Sequence, residues 1–347
     1  MLFARRLLIL ASAPIIASAL PLAEKALIDR IRRQVGKRRA VMVGIGDDCA
    51  VLRLPPGHEA LITTDFSLEG IHFRRDWHSP EAVGCRCLTR GLSDIAAMGG
   101  EPMAAFLSLA LPRNLPQKWV DRFLRGLLSL AGKYGITLAG GDTAESPDGI
   151  LADIVVLGSA PRGKAIRRSG AKPNDRIYVS GELGGSAAVV QRMMKHPRRM
   201  LNPRDFPRHF FPEPRLELGR ILREKGLATA MIDLSDGLST DLAHICEESG
   251  VGGEVQQEAI PIAAIGKPAQ EVDLKFALHG GEDYELLFTA SPRKRVPRRI
   301  AGVPITMIGH ISRRGPVFLV NQHGAGYELA PQGWEHFAGN RAPGVRS

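Results

Sequence analysis

Four times in this chain a short apolar run leads, directly or through small residues, into aspartate. Val41-Met42-Val43 precedes Gly44-Ile45-Gly46-Asp47-Asp48, and Ala60-Leu61-Ile62 precedes Thr63-Thr64-Asp65. Ile136-Thr137-Leu138-Ala139 precedes Gly140-Gly141-Asp142, and Ala230-Met231-Ile232 precedes Asp233-Leu234-Ser235-Asp236. Runs this short, closed by turn formers, read as strands that end at the acidic residue. Between them, Glu81 to Met98 carries apolar residues at helical spacing and stops at Gly99-Gly100. Gln117 to Tyr134 is similar and stops at Gly135, and Leu238 to Ser249 stops at Gly250. A glycine just past the last periodic residue is a helix stop signal.

Upstream, Ala23 to Val35 is an amphipathic helix with Leu27, Ile28, Ile31 and Val35 on one face. The Gly181 to Gly185 turn opens a helix over Ser186 to Lys195. Pro-rich basic turns from Pro161 to Pro173 mark a domain junction, and 347 residues suffice for two domains. Strands and helices are mixed without strict βαβ alternation, which predicts the α+β class. No tandem repeat is present.

A formal charge of +10 invites a nucleic-acid reading, so its distribution matters. Three basic runs stand out, Arg30 to Arg39, Lys195 to Arg208 and Arg293 to Arg299, and only 5% of the chain is aromatic. Without interleaved stacking platforms these read as solvated faces, in a field that suits an anionic substrate. Cys49, Cys85, Cys87 and Cys246 make neither a CxxC pair nor a zinc spacing, and read as reduced, mostly buried thiols. Arg5 and Arg6 precede the apolar run Leu7 to Leu20, a signal-peptide layout too short and Pro-broken for a comfortable spanning helix. The chemistry read downstream belongs in the cytoplasm, so residues 1–22 are taken as an N-terminal leader or extension.

Clustered carboxylates repel one another and raise their own pKa values unless cations neutralise them. Mg²⁺ takes oxygen ligands, keeps waters and bridges carboxylates to phosphates. Glycines beside the acids let backbone approach a triphosphate. Such a set suits phosphoryl transfer, which asks mainly for positioning and charge neutralisation. Any one motif alone is a turn with a helix cap, and Asp241 reads as a solvated or capping residue. The G-x-x-x-x-G-K-[ST] loop and the protein-kinase motif set are missing from the sequence, so the expected nucleotide site has another architecture.

At these residues the chain resembles the thiamine-monophosphate kinases of the aminoimidazole-ribonucleotide-synthetase-like superfamily. The matching stretches, in family order, are GIGDDCAVL (44–52), TTDFSLEGIHF (63–73), LSDIAAMGGEP (92–102), GGDT (140–143), RRSGAKPND (167–175), IDLSDGLSTDL (232–242), GGEDYELLFT (280–289) and GWEHF (333–337). The resemblance implies a two-domain PurM-like α+β fold. Residues 23–160 would be an N-terminal ATP- and Mg²⁺-binding dimerisation domain whose mixed sheet forms a dimeric barrel, and residues 161–347 a C-terminal α/β sandwich domain. It implies ATP-dependent phosphorylation of thiamine monophosphate to thiamine diphosphate by a homodimer. Carried over by position, Asp48, Thr63, Thr64, Asp65, Asp94, Asp142, Asp233 and Asp236 resemble the Mg²⁺ shell, and Asp48, Asp94, Asp142 and Asp236 the catalytic acids. Gly141, Asp142, Arg168 and Ser235 resemble the nucleotide contacts, and His72, Glu282 and Trp334 the contacts to thiamine phosphate.

Phe66 and Ser67 depart from the commoner Met-Leu, and residues 1 to about 21 have no family counterpart. Two alternatives share the features above. One is another ATP-dependent synthetase of the superfamily, acting on a formylglycinamidine or a selenide; the latter wants a reactive cysteine in a flexible glycine-rich loop, whereas Cys49 is read within a strand-end motif. The other is a catalytically silent nucleotide–Mg²⁺ binding protein.

Overall fold

The computed structural model describes residues 22–36, 40–197 and 200–333; the apolar leader (1–21) and Trp334 lie outside them. Helix α1 (Glu24–Gln34) buries Leu27 and Ile31. Strands β1 (Val41–Val43) and β2 (Val51–Leu52) pair antiparallel around the 44–50 loop. There follow β3 (His58–Leu68), α2 (Pro80–Ala97), β4 (Glu101–Pro112), α3 (Gln117–Tyr134), β5 (Thr137–Ser146) and β6 (Leu151–Pro161). Their four strands form one sheet in the order β3-β6-β4-β5, with β4 and β5 parallel and the other pairs antiparallel.

Helices α2 and α3 cover one face of that sheet. Ser79 caps α2 by accepting from the Ala82 N–H at 3.3 Å, and Pro80 occupies the first turn. The two helices touch backbone to backbone. A Cβ on Gly84 would lie 2.0 Å from the Phe123 carbonyl oxygen, and one on Gly126 2.0 Å from that of Glu81. Phe123, Leu88, Leu92, Ile95, Leu124 and Leu127 fill the space between helices and sheet.

Strands β3 and β5 do not end at their aspartates, as the sequence reading had it. They run on through Asp65 to Leu68 and through Asp142 to Ser146. The cause is long-range: β3 pairs with β6 along its whole length, from His58 opposite Pro161 to Leu68 opposite Leu151, and the ladder overrides local composition. Alternation then turns Leu61, Thr63, Asp65 and Ser67 toward α2, leaving Ile62, Thr64 and Phe66 on the open face.

Residues 162–175 carry neither helix nor strand and lead to the second half. Its elements are β7 (Arg176–Ser180), α4 (Gly185–Lys195), α5 (Pro207–Phe210), α6 (Leu216–Glu224), β8 (Ala230–Asp233), α7 (Leu238–Ser249), β9 (Gly252–Gln256), β10 (Ala264–Ile265), β11 (Gln270–Glu271) and α8 (Leu274–His279). Strands β12 (Leu286–Ala290), β13 (Arg299–Ile300), β14 (Val303–Ser312), β15 (Val317–Val320) and β16 (Gly326–Glu328) complete it. The main sheet runs β16-β15-β9-β14-β7-β12-β8, with β13 attached to β14. Its own core gathers Ile177, Val179, Ile232, Leu242, Ile245 and Leu287. Helix α2 also packs on β8 and α6, so it stands at the seam between the halves. Cys85, Cys87 and Cys246 are buried free thiols. Among the described residues no helix is long and apolar enough to cross a membrane.

Candidate active site

Acidic residues from both halves meet at that seam. Thr63 on β3 donates its hydroxyl to Asp94 on α2, and Ser93 donates to Asp233 on β8 at 2.6 Å. Burial pushes Asp65 up to about 7, and the charge of Asp94 and a hydrogen bond to it add to the rise. Burial, then the charge of Asp94, pushes Asp233 up to about 8, and Asp94 itself is raised by burial. Arg90 opposes the rise at Asp65, and Arg168 opposes it at Asp94 and Asp233. Burial and mutual repulsion outweigh these two guanidinium groups, so the acids bind protons more tightly than free carboxyls do. Hydroxyl and carboxylate oxygens are the hard donors a divalent cation takes, and such an ion would relieve the repulsion.

The loop after β8 is fixed by Asp241. Its Oδ2 accepts the N–H groups of Asp236 at 3.2 Å and Gly237 at 3.0 Å. Asp241 is only 1% exposed, so it caps but is not solvated. The sequence reading missed that α7 turns it inward. Burial, then the charges of Asp233 and Asp236, push its pKa well above the carboxylate range. An amide matches this carboxyl in shape and keeps an oxygen to accept both N–H groups. Asp241→Asn is therefore expected to keep stability within about 0.5 kcal/mol, whereas Asp241→Ala strands two N–H groups and should lose about 1–3 kcal/mol in urea denaturation.

Glycine and glutamate of the 280–286 stretch lie against this loop. The N–H of Glu282 donates to the Ser235 carbonyl at 2.8 Å, and that of Tyr284 to Leu234 at 3.0 Å. A Cβ at Gly281 would sit 2.3 Å from the Ser235 oxygen, so only glycine permits the approach. Glu282 (φ 66°) and Tyr284 (φ 51°) adopt the left-handed conformation. Arg86 and Arg90 each grip one oxygen of Glu282. Burial alone would raise that carboxyl, but Arg86, Arg90, His209 and His72 hold it down to about 2. His72, whose Nδ1 accepts from the Leu68 N–H at 2.9 Å, thus shares this side of the site. Asp283 accepts from Gly184 N at 2.6 Å and Ser186 N at 3.1 Å at the start of α4. Glu285 is buried with Arg215 and accepts from Ser180 at 2.5 Å.

The remaining positions fall elsewhere. Thr64 donates to Asp153 at 2.7 Å on the open face of the first sheet. Asp153, Ser108 and Asp142 stand abreast on β6, β4 and β5. Asp142 is exposed and accepts from the Thr143 N–H at 2.8 Å; before it, Gly141 (φ 148°) lies against the Leu107 carbonyl. Asp48 is exposed in the 44–50 loop, whose Gly44 lies near the Ala139 carbonyl. Gly333 anchors on Thr240 Oγ1 at 3.0 Å and abuts the Asp236 carbonyl, one residue before Trp334. Thr63, Asp65, Asp94, Asp233 and Asp236, with Arg168 and Ser235, therefore gather along the seam. Asp48, Thr64, Gly141 and Asp142 sit on or beside the other sheet face. Among the described residues no three His, Cys, Asp or Glu side chains are grouped closely enough to hold a metal ion. Mg²⁺ is ordinarily bound through one or two carboxylates plus substrate phosphates rather than by an all-protein cage.

Sequence reading overlooked Arg86, Arg90 and Asp153. The first two had a signal: Arg86, Arg90 and Asp94 recur every four residues in an otherwise apolar helix. Asp153 had none, since strand pairing sets it opposite Phe66 and so within diagonal reach of Thr64.

The family models of AIR synthase related proteins match residues 46–160 (N-terminal domain) and 172–315 (C-terminal domain). The thiamine-monophosphate kinase of Salmonella typhimurium is 38% identical over 321 residues, covering 89% of this chain and 95% of that protein. The chain belongs to the thiamine-monophosphate kinase family. The Bacillus subtilis kinase is 34% identical over 83% of this chain and 91% of its own. Among solved structures, the thiamine-monophosphate kinase of Stenotrophomonas maltophilia K279a superposes with a TM-score of 0.74 at 35% identity, over 86% of this chain and 96% of that one. The structure described as AaThiL complexed with AMPPCP and TMP gives 0.71 at 32% identity, over 91% and 97%. Hydrogenase maturation protein HypE, at 17% identity, shares the fold.

For this member of the thiamine-monophosphate kinase family two local features stand out. Cys49 is exposed in the 44–50 loop rather than held in a strand end, because β1 stops at Val43. Close to Glu282, His78 and His209 face each other Nε2 to Nε2 at 3.0 Å, and His209 Nδ1 pairs with Ser186 Oγ at 2.9 Å. Burial, then the charge of Arg86, holds His78 down to about 4 and His209 well below the imidazole range. Unfolded histidines take protons below about 6.5, while the folded pair does not, so the unfolded state binds more protons and stability falls as pH drops from about 6.5 to 4. His78 alone accounts for about 3 kcal/mol over that window. Urea titrations at several pH values should show this slope, flattened in a His78→Gln variant.

Proposed function

We propose that the protein is an ATP-dependent thiamine-monophosphate kinase that makes thiamine diphosphate in the cytoplasm. The observation that carries this reading is the seam itself. Acids of the first half (Asp65, Asp94) face an acid of the second (Asp233), beside the His72–Glu282 side of the cleft. Mg²⁺ held by Thr63, Asp65, Asp94, Asp233 and Asp236 would neutralise phosphate charge in the transition state, and Asp48, Thr64 and Asp142 would supply a separate set of oxygen donors at the other face of the sheet.

The chain's own residues position two anions end to end. Gly141, Asp142, Arg168 and Ser235 serve the nucleotide, and His72, Glu282 and Trp334 serve the acceptor. A phosphate monoester has its second pKa near 6, so the acceptor oxygen is already anionic at neutral pH and needs no general base or phospho-enzyme. The γ-phosphoryl group then moves in line from ATP to that oxygen. Two unit charges about 4 Å apart repel by roughly 4 kcal/mol at an effective dielectric of 20, a cost Arg168 helps offset.

An ADP-release assay with thiamine monophosphate, free thiamine and unrelated phosphorylated acceptors, with and without Mg²⁺, tests the reading. Turnover confined to thiamine monophosphate supports it, and no turnover with that acceptor overturns it. Intact-mass analysis of the expressed chain reports whether it is cleaved near Ala19.

The open face of the first sheet supports a homodimer. Ile62 is 70% and Phe66 54% exposed, an apolar surface of the kind that marks association. Light scattering should give twice the chain mass for the wild type, and the monomer for an Ile62→Lys/Phe66→Glu variant.

A further inference from the structure

We propose that Arg90 binds the phosphate of the acceptor and so selects a phosphate monoester over the free alcohol. This rests on the functional reading above. Arg90 lies one helical turn before Asp94, and its guanidinium sits between two opposed fields. On one side it feels Asp65, and on the other its Nη2 donates to Glu282 Oε1. Arg86, a turn earlier, is used up structurally: Nη2 goes to the second oxygen of Glu282 and Nη1 to the His209 carbonyl, and the residue is only 3% exposed. Arg90 differs. Among the described residues Glu282 is its only hydrogen-bond acceptor, yet neither Nε nor Nη1 is an enclosed unpaired donor. Its side chain keeps 14% of its surface exposed against 4% for Arg86, so it retains access to the space beside the acids.

Charge points the same way. One carboxylate, Glu282, faces two guanidinium groups, leaving an excess positive charge on the side where His72 also lies. Across Arg90 the balance reverses, where Asp65, Asp94 and Asp233 feel one another's charge. A dianionic monoester placed there meets guanidinium at one end and the metal-binding acids at the other. Glu282 pays for this with a left-handed backbone (φ 66°), a conformation kept where the surroundings over-determine it. Its part is to aim Arg90 rather than to touch a cation, since both of its oxygens are engaged. A guanidinium fork matches phosphate in a way that neither a hydroxyl ligand nor a point charge does.

The experiment measures kcat, the KM for thiamine monophosphate and the KM for ATP in wild type, Arg90→Lys and Arg90→Met, with melting temperatures alongside. The Met variant should raise the acceptor KM about 10- to 100-fold and leave the ATP KM within about 3-fold, with the Lys variant between. Inorganic phosphate should compete with the acceptor in wild type and lose that effect in the Met variant. An unchanged acceptor KM, or an equal rise in both KM values, overturns the proposal. If the Met variant does not fold, the Lys variant is read by the same criteria. A wild-type protein without turnover of thiamine monophosphate sinks the functional reading; turnover together with an unmoved acceptor KM in the variants sinks the arginine assignment alone.

Discussion

Asp236→Asn is expected to lower turnover by about three powers of ten. The change removes one of the negative charges that would hold Mg²⁺ where two phosphates must approach. A charge contact of about 4 kcal/mol at 4 Å and an effective dielectric of 20 corresponds to about a thousandfold in rate, at 1.36 kcal/mol per factor of ten. The fold should be spared, because the loop is fixed by backbone groups: the Asp236 N–H to Asp241 and the Ser235 carbonyl to Glu282. Single-turnover kinetics at saturating ATP, with a thermal melt as control, separates the two effects. A near-normal rate removes Asp236 from the reacting centre.

Glu285→Ala is expected to cost about 3–5 kcal/mol of stability, because it leaves Arg215 largely buried without its counter-ion. Glu285 is 1% exposed and accepts three bonds, two from the Arg215 fork and one from Ser180. It also backs the Gly181 turn. A Glu285→Leu/Arg215→Met double variant should recover much of the loss, since a buried pair replaced by apolar groups is often neutral. Urea denaturation is the measurement. A single-variant loss below about 1 kcal/mol means that water reaches Arg215 and the pair is not energetically buried.

The helices read from the sequence were legible almost to the residue, because their ends are written in the chain, whereas α5, α6 and α8 were not read. Gln117–Tyr134 and Leu238–Ser249 match the spans read from periodicity, and Gly135 and Gly250 take left-handed conformations at their C-termini. Strand ends were not, because β3 and β5 continue for as long as a distant partner supplies hydrogen bonds. That extension carries a second consequence for the site. Thr63 and Asp65 point toward α2 while Thr64 between them points away, a division visible only once the segment is known to be strand throughout. The acids of the seam were suggested by motif, whereas Arg86 and Arg90 needed Glu282, nearly two hundred positions along, to acquire meaning. Asp241 was placed at its helix start, but its inward turn depends on the packing of α7.

Helix α2 supplies Arg86, Arg90, Ser93 and Asp94, and every one of them meets a residue beyond position 160. Neither half can assemble the cleft alone. A nucleotide held there ties the halves together, so amide exchange in α2 and β8 should slow in concert when it binds, as though two covers of a book had been closed on the same page.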